Sequence, residues 1–163
     1  MADHSQSTTN AWLDAATFKM VVTATPLISI DLLVQNEQGE FLLGLRNNRP
    51  AQGYWFVPGG RILKNETLDT AFRRLTREEL GTELERGQAS FKGLYEHVYD
   101  DSVFGPSPAT HYIVLAHYLQ VAQETIRISP EQHCQSQWVT PEAMNTLNIH
   151  RFTWDYFEEQ HAK

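Results

Sequence analysis

Between Gly60 and Gly81 the chain reads GRILKNETLDTAFRRLTREELG, where a Gly59-Gly60 pair runs into an amphipathic helix whose inward stripe carries a carboxylate. Thr67 is a good N-cap, Leu68 opens the periodic run, and Gly81 stands where a helix C-terminus favours positive φ. The spacing predicts a helix of roughly three and a half turns over 68–80. Leu68, Ala71, Phe72 and Leu75 follow the i, i+3, i+4, i+7 rule and define its core face. At about 100° per residue Glu79 falls about 40° from Leu75, inside that stripe, with Glu78 about 60° to its other side. Removing an ionised carboxylate from water without a partner costs several kcal/mol, so the fold must supply an arginine, a metal ion or a changed proton occupancy. Arg74 and Arg77 would serve as structural partners, and from these residues alone an ion pair and a metal ligand both remain open.

The elements that must position this helix can be read from periodicity. Residues 1–10, MADHSQSTTN, are polar and free of aromatics, which predicts a disordered tail, leaving 11–163 as a single domain. Residues 11–22, with Trp12, Leu13, Ala16, Phe18 and Met20, predict a first helix. Ile28, Ile30, Leu32 and Val34 alternate, giving a strand over 27–35 with Ser29 and Asp31 on the opposite face. Asn36 to Gly39 reads as a hairpin turn into EFLLGLR, and Gly59-Gly60 as a second turn. Further strands fit 89–99, 111–121 and 137–140. A short helix follows Pro141, and a terminal one covers 150–160. Strands with few helices, two of them packed on the sheet, imply an α/β sandwich.

At 163 residues and a formal charge of −7, nothing resembles a basic stripe for nucleic-acid backbone, so any phosphate recognition is local. The single cysteine, Cys134, allows no internal disulfide, and no apolar run suggests export or membrane insertion; a cytoplasmic setting is the default expectation.

Gly60, Glu66, Arg74, Glu78, Glu79 and Gly81 stand at the offsets of G-x5-E-x7-R-E-U-x-E-E-x-G-U, where U is aliphatic, so this segment resembles the signature of the Nudix hydrolases. The departure is chemical: the Glu that the family places after its Arg is Leu75 here, and Thr76 and Thr82 replace aliphatic positions. Losing that acid removes a metal ligand and weakens the case for two-metal attack on a phosphoanhydride. The loss is similar to the branch of the family that hydrolyses GDP-mannose at its mannosyl bond. TPLISIDLLV at 25–34, FLLGLRNNRPAQGYWFVPGGR at 41–61, YDD at 99–101, THY at 110–112 and PEQH at 130–133 support it, and the likeness spans about Trp12 to Trp138.

The resemblance implies a Nudix-like α/β/α sandwich with a mixed β-sheet. It implies Mg2+, with Mn2+ as an alternative ion, held by the Gly59 carbonyl, Glu79 and Gln132, all hard oxygen donors. It assigns the general base to His133, beside that set, because a neutral imidazole accepts a proton near pH 7. Arg46 and Arg61 match arginines that grip the diphosphate, and Tyr112 adds a hydroxyl donor. Asp31 matches a residue near the sugar and the arginines, although a salt bridge with Arg46 would explain it too. His97 precedes a 100–110 loop that could close over substrate or be a plain hairpin connection. The resemblance also implies a homodimer in which Trp12, Leu13 and Phe18 meet the guanine; a place in the core is the alternative for these apolar residues. The implied reaction is water attack on the anomeric carbon of GDP-mannose, and of GDP-glucose by extension, with inversion and release of GDP. A conventional Nudix hydrolase cutting the P–O–P bond with Glu78 and Glu79, and a binding module without turnover, are the alternatives.

Overall fold

The computed structural model describes residues 13–128 and 135–158. The expected tail at 1–10 lies outside them. The first helix, α1, spans Ala15–Ala24, starting later than the periodicity suggests because the Asp14 side chain accepts from Thr17 N at 3.0 Å and caps it there. Strand β1, Leu27–Gln35, turns at Asn36 into β2, Phe41–Leu45. The Asn36 Oδ1 accepts from Gln38 N and Glu40 N, and Gly39 takes φ 83°, as a tight turn requires.

Two short strands follow, β3 at Trp55–Phe56 and β4 at Gly59–Arg61. The second corrects an expectation: Gly59-Gly60 is not a turn but extended chain, pairing antiparallel with β1 in the register Asp31↔Gly59 and Ile30↔Gly60. Glycine is needed for close approach. A Cβ at Gly59 would lie 2.5 Å from the Ile30 carbonyl oxygen, and one at Gly60 would lie 2.6 Å from a Leu75 methyl.

Helix α2, Leu68–Leu80, has Thr67 as N-cap, its side chain accepting from Thr70 N, and Gly81 as the left-handed C-cap at φ 67°. Leu68, expected on the core face, is 40 % exposed, whereas Thr76 is fully buried. The Thr76 hydroxyl donates to the Arg73 carbonyl and accepts from Leu84 N, so its polar atom is satisfied inside the core. Strands β5, Ser90–Tyr99, and β6, Thr110–Gln120, form a long hairpin; β7, Ser136–Val139, and α3, Arg151–Glu158, follow.

The sheet runs β3-β2-β1-β6-β5, with β4 on β1 and β7 on β2. β1 and β6 are parallel and the other pairs antiparallel, so the sheet is mixed. Alternation along β1 sends Ile30, Leu32 and Val34 to one face, against Ala71, Phe72, Leu75 and Leu80 of α2. It sends Leu33 to the other, with Leu43, Val57, Met144 and Tyr156. Each fully buried Leu or Ile contributes about 1.5–3 kcal/mol of hydrophobic stabilisation, and that burial fixes the register of β1. The result is the α/β/α sandwich that the resemblance implies. Among the described residues no helix is long and apolar enough to cross a membrane.

Candidate active site

A cavity of about 250 Å³ opens on the α3 side of the sheet. Asp31 of β1, Gly59 and Arg61 of β4, Tyr112 of β6 and His97 of β5 face it, with Arg46 from the end of β2 and Glu79 from α2. Segments far apart in sequence meet there because β4 pairs with β1, setting Gly59 opposite Asp31, and the parallel β1–β6 pair sets Tyr112 opposite Leu27 and Val114 opposite Ser29.

The arrangement of α2 decides which acid faces the cavity. Arg74 binds Glu66 through Nε at 2.6 Å and Nη2 at 2.8 Å, Glu78 through Nη1 at 2.9 Å, and donates to the Arg61 carbonyl at 2.9 Å. This forked pairing holds the Glu66 carboxyl below the usual carboxylate range and raises the guanidinium. Arg77 turns outward to Glu83 at 2.8 Å. Of the three motif glutamates it is Glu79 that lines the cavity. Leu75 is 2 % exposed and packed in the cluster between α2 and the sheet, so it offers no oxygen where the family motif has an acid.

Both cavity arginines are aimed by aromatic rings. The Arg46 guanidinium lies 5.2 Å from the Phe56 centroid, and that of Arg61 4.1 Å from Phe18. Phe18 also packs against Phe104 at 5.6 Å, joining α1 to the 100–110 segment. That segment is a hairpin connection, pinned by Arg49–Asp101 at 2.9 Å and by the Thr110 hydroxyl donating to the Asp101 carbonyl. Burial pushes the Tyr112 hydroxyl up, against the pull of Arg46 and Arg61, so it remains a neutral donor.

Asp31 does not form the ion pair with Arg46 that the sequence left open as an alternative. Its Oδ2 instead accepts the Tyr156 hydroxyl at 2.6 Å, because the cavity wall is closed by α3. Burial raises the Asp31 carboxyl to about 6, opposed by that hydrogen bond and by the more distant Arg46 charge, with Glu79 adding to the rise. The Tyr156 oxygen is also 3.4 Å from His97 Nε2, and the His97 ring is stacked on Phe152 at 4.3 Å. Burial, with His150 adding, lowers His97 to about 4, so it is neutral and stands in a buried aromatic wall. Tyr156 and Phe152 were visible in sequence only as an aromatic run in the last helix; nothing in their spacing points to Asp31 or His97.

The Glu79 carboxylate, beside a backbone segment with no side chain at Gly59, offers hard oxygens that fit a divalent cation. Among the described residues no three His, Cys, Asp or Glu side chains cluster at metal-binding spacing, so these residues supply only part of a coordination shell. Gln132 and His133 lie outside the described residues, as does Trp12. The flanks of that stretch are tied to sequence neighbours of two cavity residues: Arg127 N donates to the Leu80 carbonyl at 2.8 Å, next to Glu79, and Leu45 N donates to the Gln135 carbonyl at 2.9 Å, next to Arg46. Leu13 is exposed.

Residues 25–160 match the model of the NUDIX domain. The low-salt glycan biosynthesis protein Agl8 of Haloferax volcanii is 38 % identical over 124 residues, which are 76 % of this chain and 77 % of Agl8. The nucleoside triphosphatase NudI of an Enterobacter species is 29 % identical, over 74 % of this chain and 86 % of its own. Among solved structures, a MutT protein from Methanosarcina mazei Go1 superposes with a TM-score of 0.67 at 25 % identity, covering 86 % of this chain and 99 % of that one.

Proposed function

The chain belongs to the NUDIX family and is a Nudix hydrolase, and from that premise we propose that it hydrolyses a nucleoside diphosphate sugar of the GDP-mannose class, including GDP-glucose, at the sugar carbon rather than at phosphorus. The observation that carries this reading is Leu75, buried beneath β4 where the motif has an acid. With Glu66 and Glu78 bound to Arg74, the helix presents Glu79 to the cavity as its carboxylate. So sparse an acid set suits one divalent ion on the diphosphate better than two ions around an attacked phosphorus.

In this reading Arg46 and Arg61 bind the diphosphate oxygens, held in place by Phe56 and Phe18, and the Tyr112 hydroxyl donates to the same group. His133 takes the proton from the attacking water. Asp31, fixed by Tyr156, orients the sugar hydroxyls, and His97 forms part of the wall that excludes bulk water. Gly59, Glu79 and Gln132 would hold Mg2+, whose positive charge stabilises the departing nucleoside diphosphate so that no general acid is needed. The anchoring of both flanks of residues 129–134 beside Glu79 and Arg46 supports assigning Gln132 and His133 to this cavity. In this reading the chain is a homodimer in which the N-terminal segment, with Leu13 exposed and Phe18 against Arg61, meets the nucleobase.

Turnover of GDP-mannose in 18O-water tests the reaction. The label is expected on the free sugar, with unlabelled GDP as co-product. Label on phosphate, with GMP and sugar phosphate formed, would establish the pyrophosphohydrolase reading instead.

A further inference from the structure

A second cleft, of about 550 Å³, lies on the other side of Tyr99 from the active-site cavity. The same two segments build both. Residues 46–48 line the first and Arg49, Gln52 and Tyr54 the second; His97 faces the first, and Asp100 and Asp101 the second, with Tyr99 as the shared wall. His150 and Arg151 at the start of α3 close the far side.

The shape is over-determined. Ala51 is held at φ 59°, a conformation that an alanine seldom adopts, and its methyl packs with Phe56, Tyr99 and Phe152. Gly53 N donates to the Arg46 carbonyl and Arg46 N to the Tyr54 carbonyl, so this loop is tied to the end of β2. The Tyr54 ring, 37 % exposed, stands edge-on to His150 at 5.0 Å and presents an aromatic surface beside the charged side chains of the cleft.

The charges in the lining decide the ligand class. Arg49 and Arg151 are matched by Asp100 and Asp101, and His150 is held neutral, lowered to about 4 by burial and by the Arg151 and Arg46 charges. A balanced lining has no net field with which to hold a phosphate or a cation. It does offer planar, forked donors and acceptors, the Arg49–Asp101 pair at 2.9 Å and the Gln52 amide, around an aromatic surface. A neutral ring with hydroxyls at its rim and C–H groups on its face meets both demands. We propose that this cleft is a saccharide subsite that binds a neutral hexose unit, adjacent to the active-site cavity across the Tyr99 wall. It extends the reading of the cavity as a sugar-nucleotide site, and rests on that reading only for the adjacency, since the binding itself needs no turnover.

The test is titration of the full chain with mannobiose followed by backbone amide NMR shifts, at about 10 mM saccharide, where a millimolar site is filled. Shifts are expected at residues 49–54, 98–101 and 150–151. Gln52→Ala and Tyr54→Ala should each weaken binding about tenfold, two variants being used so that a folding defect in one does not decide the outcome. No shift with mannobiose, equal binding by native and variant proteins, or inorganic phosphate moving these amides while mannobiose does not, would each overturn the proposal. Because only binding is read, its failure leaves the 18O result, and the reading of the first cavity, unaffected.

Discussion

At the scale of single residues, one substitution in the signature helix has consequences across the cavity. Leu75 packs where the motif carries an acid and Arg74 engages Glu66 and Glu78, and the proposed reaction takes its base from His133. His133→Gln is expected to lower kcat on the order of 10²-fold while the circular dichroism spectrum and melting curve are retained, and full turnover in that variant would remove the assignment. Asp31 and His97 carry opposite pH signatures. The Asp31 carboxyl is raised to about 6, above its value in the unfolded chain of about 3.9, so its contribution to stability is full below about pH 4 and is lost as pH rises through 6. His97 is lowered to about 4 from about 6.5, so its contribution is full above pH 6.5 or so and is lost as pH falls toward 4. Relative to the parent, Asp31→Asn should therefore melt higher at about pH 8 than at about pH 4, and His97→Gln should melt relatively higher at about pH 4. Parallel melting curves across this range would contradict both. Asp31 as a polar residue on an apolar strand was legible in the sequence; its partner was not, because Tyr156 is 125 residues away and only the packing of α3 on the sheet brings the two together.

At the scale of elements, α2 shows how much a local code can specify. Thr67, the apolar stripe and Gly81 gave bounds of 68–80, and the helix has them, because capping and periodicity are satisfied within a few residues of chain. What lies beyond the cap is tertiary. Gly81 abuts the Arg127 carbonyl, and Arg127 N completes the hydrogen bonding of the Leu80 carbonyl. Gly81→Ala therefore meets both a left-handed backbone and a carbonyl with nowhere to move. A loss of about 2–3 kcal/mol is expected, more than the roughly 1 kcal/mol that alanine costs at an open C-cap, measurable by urea unfolding. A cost below about 1 kcal/mol would show that the 121–128 segment yields. Gly59-Gly60 was the misreading at this scale. A glycine pair marks a turn or a close approach equally well, and only the pairing of β4 on β1 distinguishes them.

At the scale of the whole molecule, the cavity is the product of one topology. The parallel β1–β6 pair and the antiparallel β4 bring together Asp31, Gly59, Arg61 and Tyr112, and α2 and α3 close the two faces of the sheet. Because the proposed reaction places a divalent ion on the diphosphate, turnover should depend fully on added divalent ion. Treatment with EDTA is expected to abolish it and Mg2+ to restore it with unchanged melting behaviour, and undiminished activity in EDTA would exclude the ion from the reaction. The sequence by itself determined five of the seven described strands, the capped helix and the family, since alternation, capping and fixed motif offsets are encoded over short stretches of chain. Only the tertiary structure decided which glutamate faces the cavity, which ring orients each arginine, that Asp31 answers to Tyr156, and that a second cleft shares the wall at Tyr99. Those outcomes depend on side chains from distant segments competing for the same space and the same hydrogen bonds, and such competition exists only once the chain is folded.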